Sequence, residues 1–152
     1  MKARFIIQRK QTKYAEGIFD IVSDSNELLF TSPMYSGSKF AGVNNKGAMP
    51  EGDYNIVYIR FDKNPSFTRD SYGWIAGLIP LFQTERFDLA IHPDGQIVSI
   101  AITHGLPDGS AGCGVNTWSL DDSVKLHNLI QQGLEKGSIP FTCLYVPDQP
   151  HA

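Results

Sequence analysis

Gly17-Ile18-Phe19-Asp20-Ile21-Val22, then Asp24-Ser25-Asn26, then Glu27 to Thr31, is the stretch that decides the fold class. The first run is rich in β-branched and aromatic residues and reads as a strand. The middle supplies turn chemistry, and the last run returns as the hairpin partner. Working outward, Ala3 to Gln8 reads as a preceding strand. A Gly-, Ser- and Asn-rich loop follows from Ser36 to Gly47. Met49-Pro50-Glu51-Gly52 is a turn that leads into a strand from Asp53 to Arg60. Asp62 to Tyr72 is polar and reads as loop. Trp74 to Phe82 is apolar but holds Gly77 and Pro80, so an irregular strand is expected there. Phe87 to Ile91 leads to His92 and the turn Pro93-Asp94-Gly95. Ile97 to Ile102 is strand-like, Gly105 to Gly114 is a shaped loop, and Ile139 to Val146 is a closing strand.

One helix stands out. Ser119 is a good N-cap with Asp122 in the first turn. Leu126, Leu129, Ile130 and Leu134 recur at helical spacing. Gly137 ends the helix and Pro140 forbids a restart. The pattern predicts about seven to nine strands and one principal α-helix. That is a mainly β fold, with residues 1–152 forming a single domain.

The chain has 152 residues, 41% of them apolar and 19% charged, with a formal net charge of −3. This is globular composition and allows a real core. Clustered Lys and Arg are needed to grip phosphate. The one basic group near the start (Lys2, Arg4, Arg9, Lys10, Lys13) is interrupted by apolar residues, so a nucleic-acid partner is not expected. No apolar run approaches the ~20 residues that span a bilayer, so membrane insertion is not expected. Met1 to Gln8 lacks the apolar stretch of a signal peptide, which predicts synthesis without a cleaved signal. Cys113 and Cys143 are too few for a disulfide framework and lack metal-ligand spacing. No metal and no cofactor are expected.

Cys113 draws attention through its neighbours, because Gly112 and Gly114 let the backbone bend sharply and aim main-chain N–H groups at one spot. A thiol needs a base to become a nucleophile. His92, at the end of a strand, is the first choice, and His104 in the glycine-rich loop is the second. His127 is expected on the exposed or half-exposed side of the helix, and His151 lies in the terminal tail. Cys143 alternates within Phe141-Thr142-Cys143-Leu144 as a packed core thiol. Asp94 after Pro93 reads most simply as a turn residue. Tyr72 and Trp74 are candidates for lining a glycan or peptide groove, with core packing as the plainer reading. Arg86 is a candidate for bidentate contact with a substrate carboxylate.

His92, seventeen intervening residues, then Ser110-Ala111-Gly112-Cys113 resembles the L,D-transpeptidase signature of a His, a gap of similar size and Ser/Thr-His-Gly-Cys. Pro50-Glu51-Gly52-Asp53-Tyr54-Asn55-Ile56 is similar to the family's Pro-x-Gly-x-Tyr/Phe-x-Ile segment. The resemblance runs over about residues 15–147, and Arg86 to Gly95 looks most like the type VI secretion L,D-transpeptidase effectors. The sequence departs from the family at Ala111, where His is usual, and at Val115, where Arg is frequent.

The resemblance implies an L,D-transpeptidase-like β-sandwich or barrel with a Cys113 nucleophile and a His92 base. It implies a Ser110 carbonyl orienting the base, and main-chain N–H groups of Gly112 and Cys113 for the oxyanion. Apart from what the resemblance implies, His104, Arg86, Tyr72 and Trp74 are the candidates to face substrate. The implied partners are a peptidoglycan stem peptide and an immunity protein protecting the producer. The implied place of action is the periplasm of a target bacterium. Two alternatives stay open: a non-catalytic wall-binding module on the same fold, and a cysteine peptidase or amidase of unrelated fold.

Overall fold

The computed structural model describes residues 1–37, 47–95 and 113–147, and every structural statement below concerns these. The strands are β1 (Lys2–Gln11), β2 (Tyr14–Val22), β3 (Leu28–Gly37), β4 (Gly52–Phe61), β5 (Thr68–Arg69), β6 (Tyr72–Pro80), β7 (Ala90–Pro93), β8 (Gly114–Asn116) and β9 (Ile139–Tyr145). The helix is α1 (Leu120–Leu134), and Pro65–Phe67 forms a single 3-10 turn. The strands pair in the order β4-β9-β1-β2-β3-β8-β7-β6-β5, and β4 also pairs with β6. That last pairing closes eight strands into a barrel, so the fold is mainly β with one α-helix. Of the paired strands, β1–β9 and β7–β8 run parallel.

The interior follows from alternation. In β1, Ala3, Phe5 and Ile7 are buried while their neighbours are not, as a half-buried strand requires. Aromatic rings meet in the barrel: Phe141 lies 6.3 Å from Phe19 and 5.7 Å from Tyr54, between ring centroids. The helix sets Leu126 and Ile130 into this core, with Leu129 and Leu134 partly buried against it. Its start is as the sequence predicts, with the Ser119 side chain accepting from the Asp122 N–H at 3.2 Å.

Three expectations change. The stretch from Tyr72 to Pro80 is one continuous strand despite Gly77. The glycine is needed there because a Cβ would come within 2.1 Å of the Tyr58 ring lying across it. Trp74 is fully buried, stacked on Trp118 at 5.9 Å, and its indole N–H donates to Ser123 Oγ at 2.9 Å. It is a core residue and cannot line a substrate groove. His127 is also buried, because Phe61 at the end of β4 stacks on its ring at 4.4 Å.

Candidate active site

The pairing of β7 with β8 builds the site. Ile91 lies opposite Gly114, His92 opposite Val115 and Pro93 opposite Asn116. One step back along this register, Cys113 lies opposite Ala90. Ile91 belongs to the core and faces the barrel interior. Alternation therefore sends Ala90, His92 and Asp94 to the outer face, together with their partners Cys113 and Val115. The levels of Cys113 and His92 differ by two residues, roughly 7 Å along the strand. Gly114, between them on the inner face, has to be glycine or displace its neighbour: a Cβ would sit 2.8 Å from Met34 Sδ.

His92 is nearly inaccessible, at 3% exposure, under the Phe67 ring at 4.5 Å. Its Nδ1 is 2.7 Å from the Pro93 carbonyl oxygen. A carbonyl only accepts, so Nδ1 carries the proton and Nε2 presents the lone pair. Burial pushes the imidazole down to about 4, opposed by the Pro93 carbonyl and the Asp62 charge.

Cys113 is partly exposed as a residue, and its sulfur is turned toward the protein, 3.9 Å from the Asp88 carbonyl oxygen. Burial pushes the thiol up to about 11. A hydrogen bond from the Ala90 backbone and the Arg86 charge pull it down, and the Asp88 charge adds to the rise. Asp88 itself holds φ at 58°, a left-handed conformation that Asp tolerates better than most residues. At rest the pair is thus a neutral thiol and a neutral imidazole. Both shifts oppose moving the proton from sulfur to nitrogen at rest.

Arg86 stands beside the thiol, but its fork is used by the protein. Nη1 donates to the Ala48 carbonyl and Nη2 to the Gly47 carbonyl, each at 3.2 Å. It ties the segment ahead of β4 to the Cys113 surroundings, a different use from the expected bidentate grip on a substrate carboxylate. Tyr72 is half-buried, with its ring against Phe61 and His127. Gly77 pairs with Ala90, so Tyr72 lies five residues along β6 from the level of Cys113, roughly 17 Å. Ser110, Gly112 and His104 lie outside the described residues. Cys143 is buried in the core as expected, and its thiol is pushed up to about 12 by burial.

Two further residues join this face. Tyr35 pairs with Val115, and its hydroxyl donates to the Asp94 carboxylate. Asp94 is buried, at 1% exposure. Nothing in the sequence around Tyr35 points to the site. For Asp94 the signal is the alternation Ala90, His92, Asp94 carried past the end of the strand.

No protein-family model and no curated protein sequence matches the chain. Among the described residues, no helix is long and apolar enough to cross a membrane.

Proposed function

We propose that the protein is a cysteine acyltransferase of the L,D-transpeptidase type acting on peptidoglycan stem peptides. The observation that supports this reading best is that His92 on β7 and Cys113, just ahead of the parallel strand β8, fall on one outer face by the register of the pair, with the imidazole in the Nε2-basic tautomer. In the proposed reaction His92 Nε2 takes the Cys113 proton as the sulfur attacks the carbonyl of a meso-diaminopimelate residue. The imidazolium then protonates the departing D-Ala amine, leaving a thioester on Cys113. Water, a D-amino acid or a second stem amine resolves the thioester. The Cys113 main-chain N–H, with that of Gly112, is the proposed oxyanion donor. Because burial opposes proton transfer at rest, the proposal has substrate binding assist it, with the N–H donors engaging the oxyanion as the bond forms.

The similarity to type VI secretion effectors extends the proposal to an antibacterial role in a target periplasm, with an immunity protein as partner. Purified protein incubated with tetrapeptide muropeptides is expected to release D-Ala, seen by mass spectrometry, and Cys113→Ala is expected to release none. Intact muropeptides, or cleavage elsewhere in the stem, would count against the assignment.

One observation favours a second reading, a non-catalytic wall-binding module. Burial raises the Cys113 thiol, which keeps it protonated and poorly nucleophilic. Such a module would bind muropeptides with equal affinity before and after Cys113→Ala and convert none.

A further inference from the structure

The last turn of α1 carries Gly133, and glycine is a poor helix residue. Its place there has a packing reason: a Cβ would come 2.6 Å from Met1 Sδ and 2.8 Å from Ile139 Cδ1. Beside this close approach the walls part, and a cavity of about 520 Å³ opens at the end of the barrel. That volume falls within the range of about 300–1,000 Å³ that small-molecule sites occupy. The cavity is remote from Cys113. Leu29, which lines it, lies six residues before Tyr35, where β3 meets β8, a separation of roughly 20 Å along the strand.

Part of the lining is apolar: Leu29, Leu129, Ile139 and Pro140. Leu29 and Leu129 are only partly buried against the core, which leaves hydrocarbon for a ligand to cover. The polar groups come from the end of α1 and the turn into β9. Gln132, Lys136 and Ser138 line the cavity there, and among the described residues none of their side chains has a hydrogen-bond partner. Free carbonyls at a helix end repel an anion, but those of Gln132, Gly133 and Leu134 already accept from the N–H groups of Glu135, Lys136 and Gly137. Asp24 also lines the cavity, and its carboxylate is paired with the Met1 ammonium. The hydrogen bond and charge of that ammonium hold the Asp24 carboxyl below its ordinary range, with the Lys136 charge adding least. Asp24 therefore has its cation, and Lys136 is the charge left over.

We propose that this cavity is a binding site for an amphipathic organic acid. Its aliphatic chain lies on Leu29, Leu129, Ile139 and Pro140. Its single carboxylate meets the Lys136 ammonium, with the Gln132 amide and the Ser138 hydroxyl donating to the carboxylate oxygens. An apolar enclosure with a few converging polar groups is the usual build of such a site, and the unpaired ammonium sets the sign of the ligand's charge. Binding is non-covalent. The site uses no residue of the Cys113 face and does not depend on the acyl-transfer reading.

The probes are hexanoate, octanoate and decanoate, with octanol as the neutral control, each titrated into the intact protein and followed by amide NMR shifts. Octanoate is expected to move the signals of residues 129–140 saturably. Each added CH₂ is expected to tighten binding about two- to fourfold until the cavity is full. Octanoate is expected to bind about tenfold more tightly than octanol. Lys136→Glu is expected to weaken octanoate about tenfold or more and to leave octanol near the parent value. Ser138→Trp, which sets an indole in the cavity, is expected to weaken both by a similar factor. Lys136 and Ser138 are exposed, so neither change threatens folding. Octanol binding as tightly as octanoate overturns the proposal, and so does a Lys136→Glu protein that binds octanoate as the parent does. An absence of saturable shifts at the cavity, up to the solubility limit of decanoate, overturns it too. The readout needs no turnover and can be taken on Cys113→Ala, so its failure leaves the acyl-transfer assignment where D-Ala release puts it.

Discussion

His92 titrates at about 4 in the folded protein, against an ordinary value of 6.5. Between those pH values the unfolded chain binds more protons, so stability rises with pH. The contribution is fully present above pH 6.5 and is lost as pH falls toward 4, by up to about 3 kcal/mol. Denaturant unfolding followed from pH 7 to pH 4 should therefore show a loss that His92→Gln reduces by about that amount; equal acid sensitivity in parent and variant would refute it. The two thiols act at the other end. Their folded values are raised by burial, so what they contribute is present at neutral pH and lost as pH climbs into the alkaline range. At this scale the sequence was informative about residue type. His92 and Cys113 were visible as the groups able to carry chemistry, because few side chains titrate or attack near neutral pH. Their common face was not visible, since it depends on which strands pair and in what register. Asp94 stayed hidden for the same reason: its side-chain partner Tyr35 is distant in the chain.

The helix was legible nearly residue by residue, because its signals are local. The Ser119 cap bonds Asp122, and Asp121 and Asp122 sit in the first turn, where the helix dipole favours negative charge. Ser119→Ala is expected to cost about 1 kcal/mol in chemical denaturation, with an unchanged denaturant slope. Elements defined by contact were harder to read. β8 spans Gly114–Asn116, too short for any alternation to register, yet it completes the site. β6 reads as irregular from Gly77 and Pro80, because the Tyr58 ring that fills the space above that glycine belongs to another strand. His127 looked surface-bound from the helix pattern alone, and the Phe61 ring that covers it comes from the end of β4.

For the molecule as a whole, the barrel depends on few large side chains that reach across it. Phe141 of β9 touches the ring of Phe19 from β2 and that of Tyr54 from β4. Replacing it with alanine removes contacts to two sectors of the wall at once. Phe141→Ala is expected to cost about 3–5 kcal/mol in urea unfolding, and a loss under 1 kcal/mol would mean the barrel collapses readily around the gap. The mainly β class was legible from composition and hairpin signals. Closure was not, because the β4–β6 seam joins segments whose separate patterns say nothing about meeting.

Closure also bears on how the protein behaves in company. Among the described residues, β8 covers β3 at Tyr35 and Ser36, leaving the earlier part of β3 without a strand on that side. Pro33 stands there and has no amide hydrogen to offer. Its carbonyl is taken by the Asn116 side-chain amide at 2.9 Å, and Ser32 Oγ accepts from the Trp118 indole at 2.8 Å. A foreign strand arriving at this margin finds a missing donor and an acceptor already engaged. Among the described residues, this uncovered border of β3 is a poor template for the addition of another strand, a safeguard against edge-to-edge association that lies in the chain's own backbone chemistry.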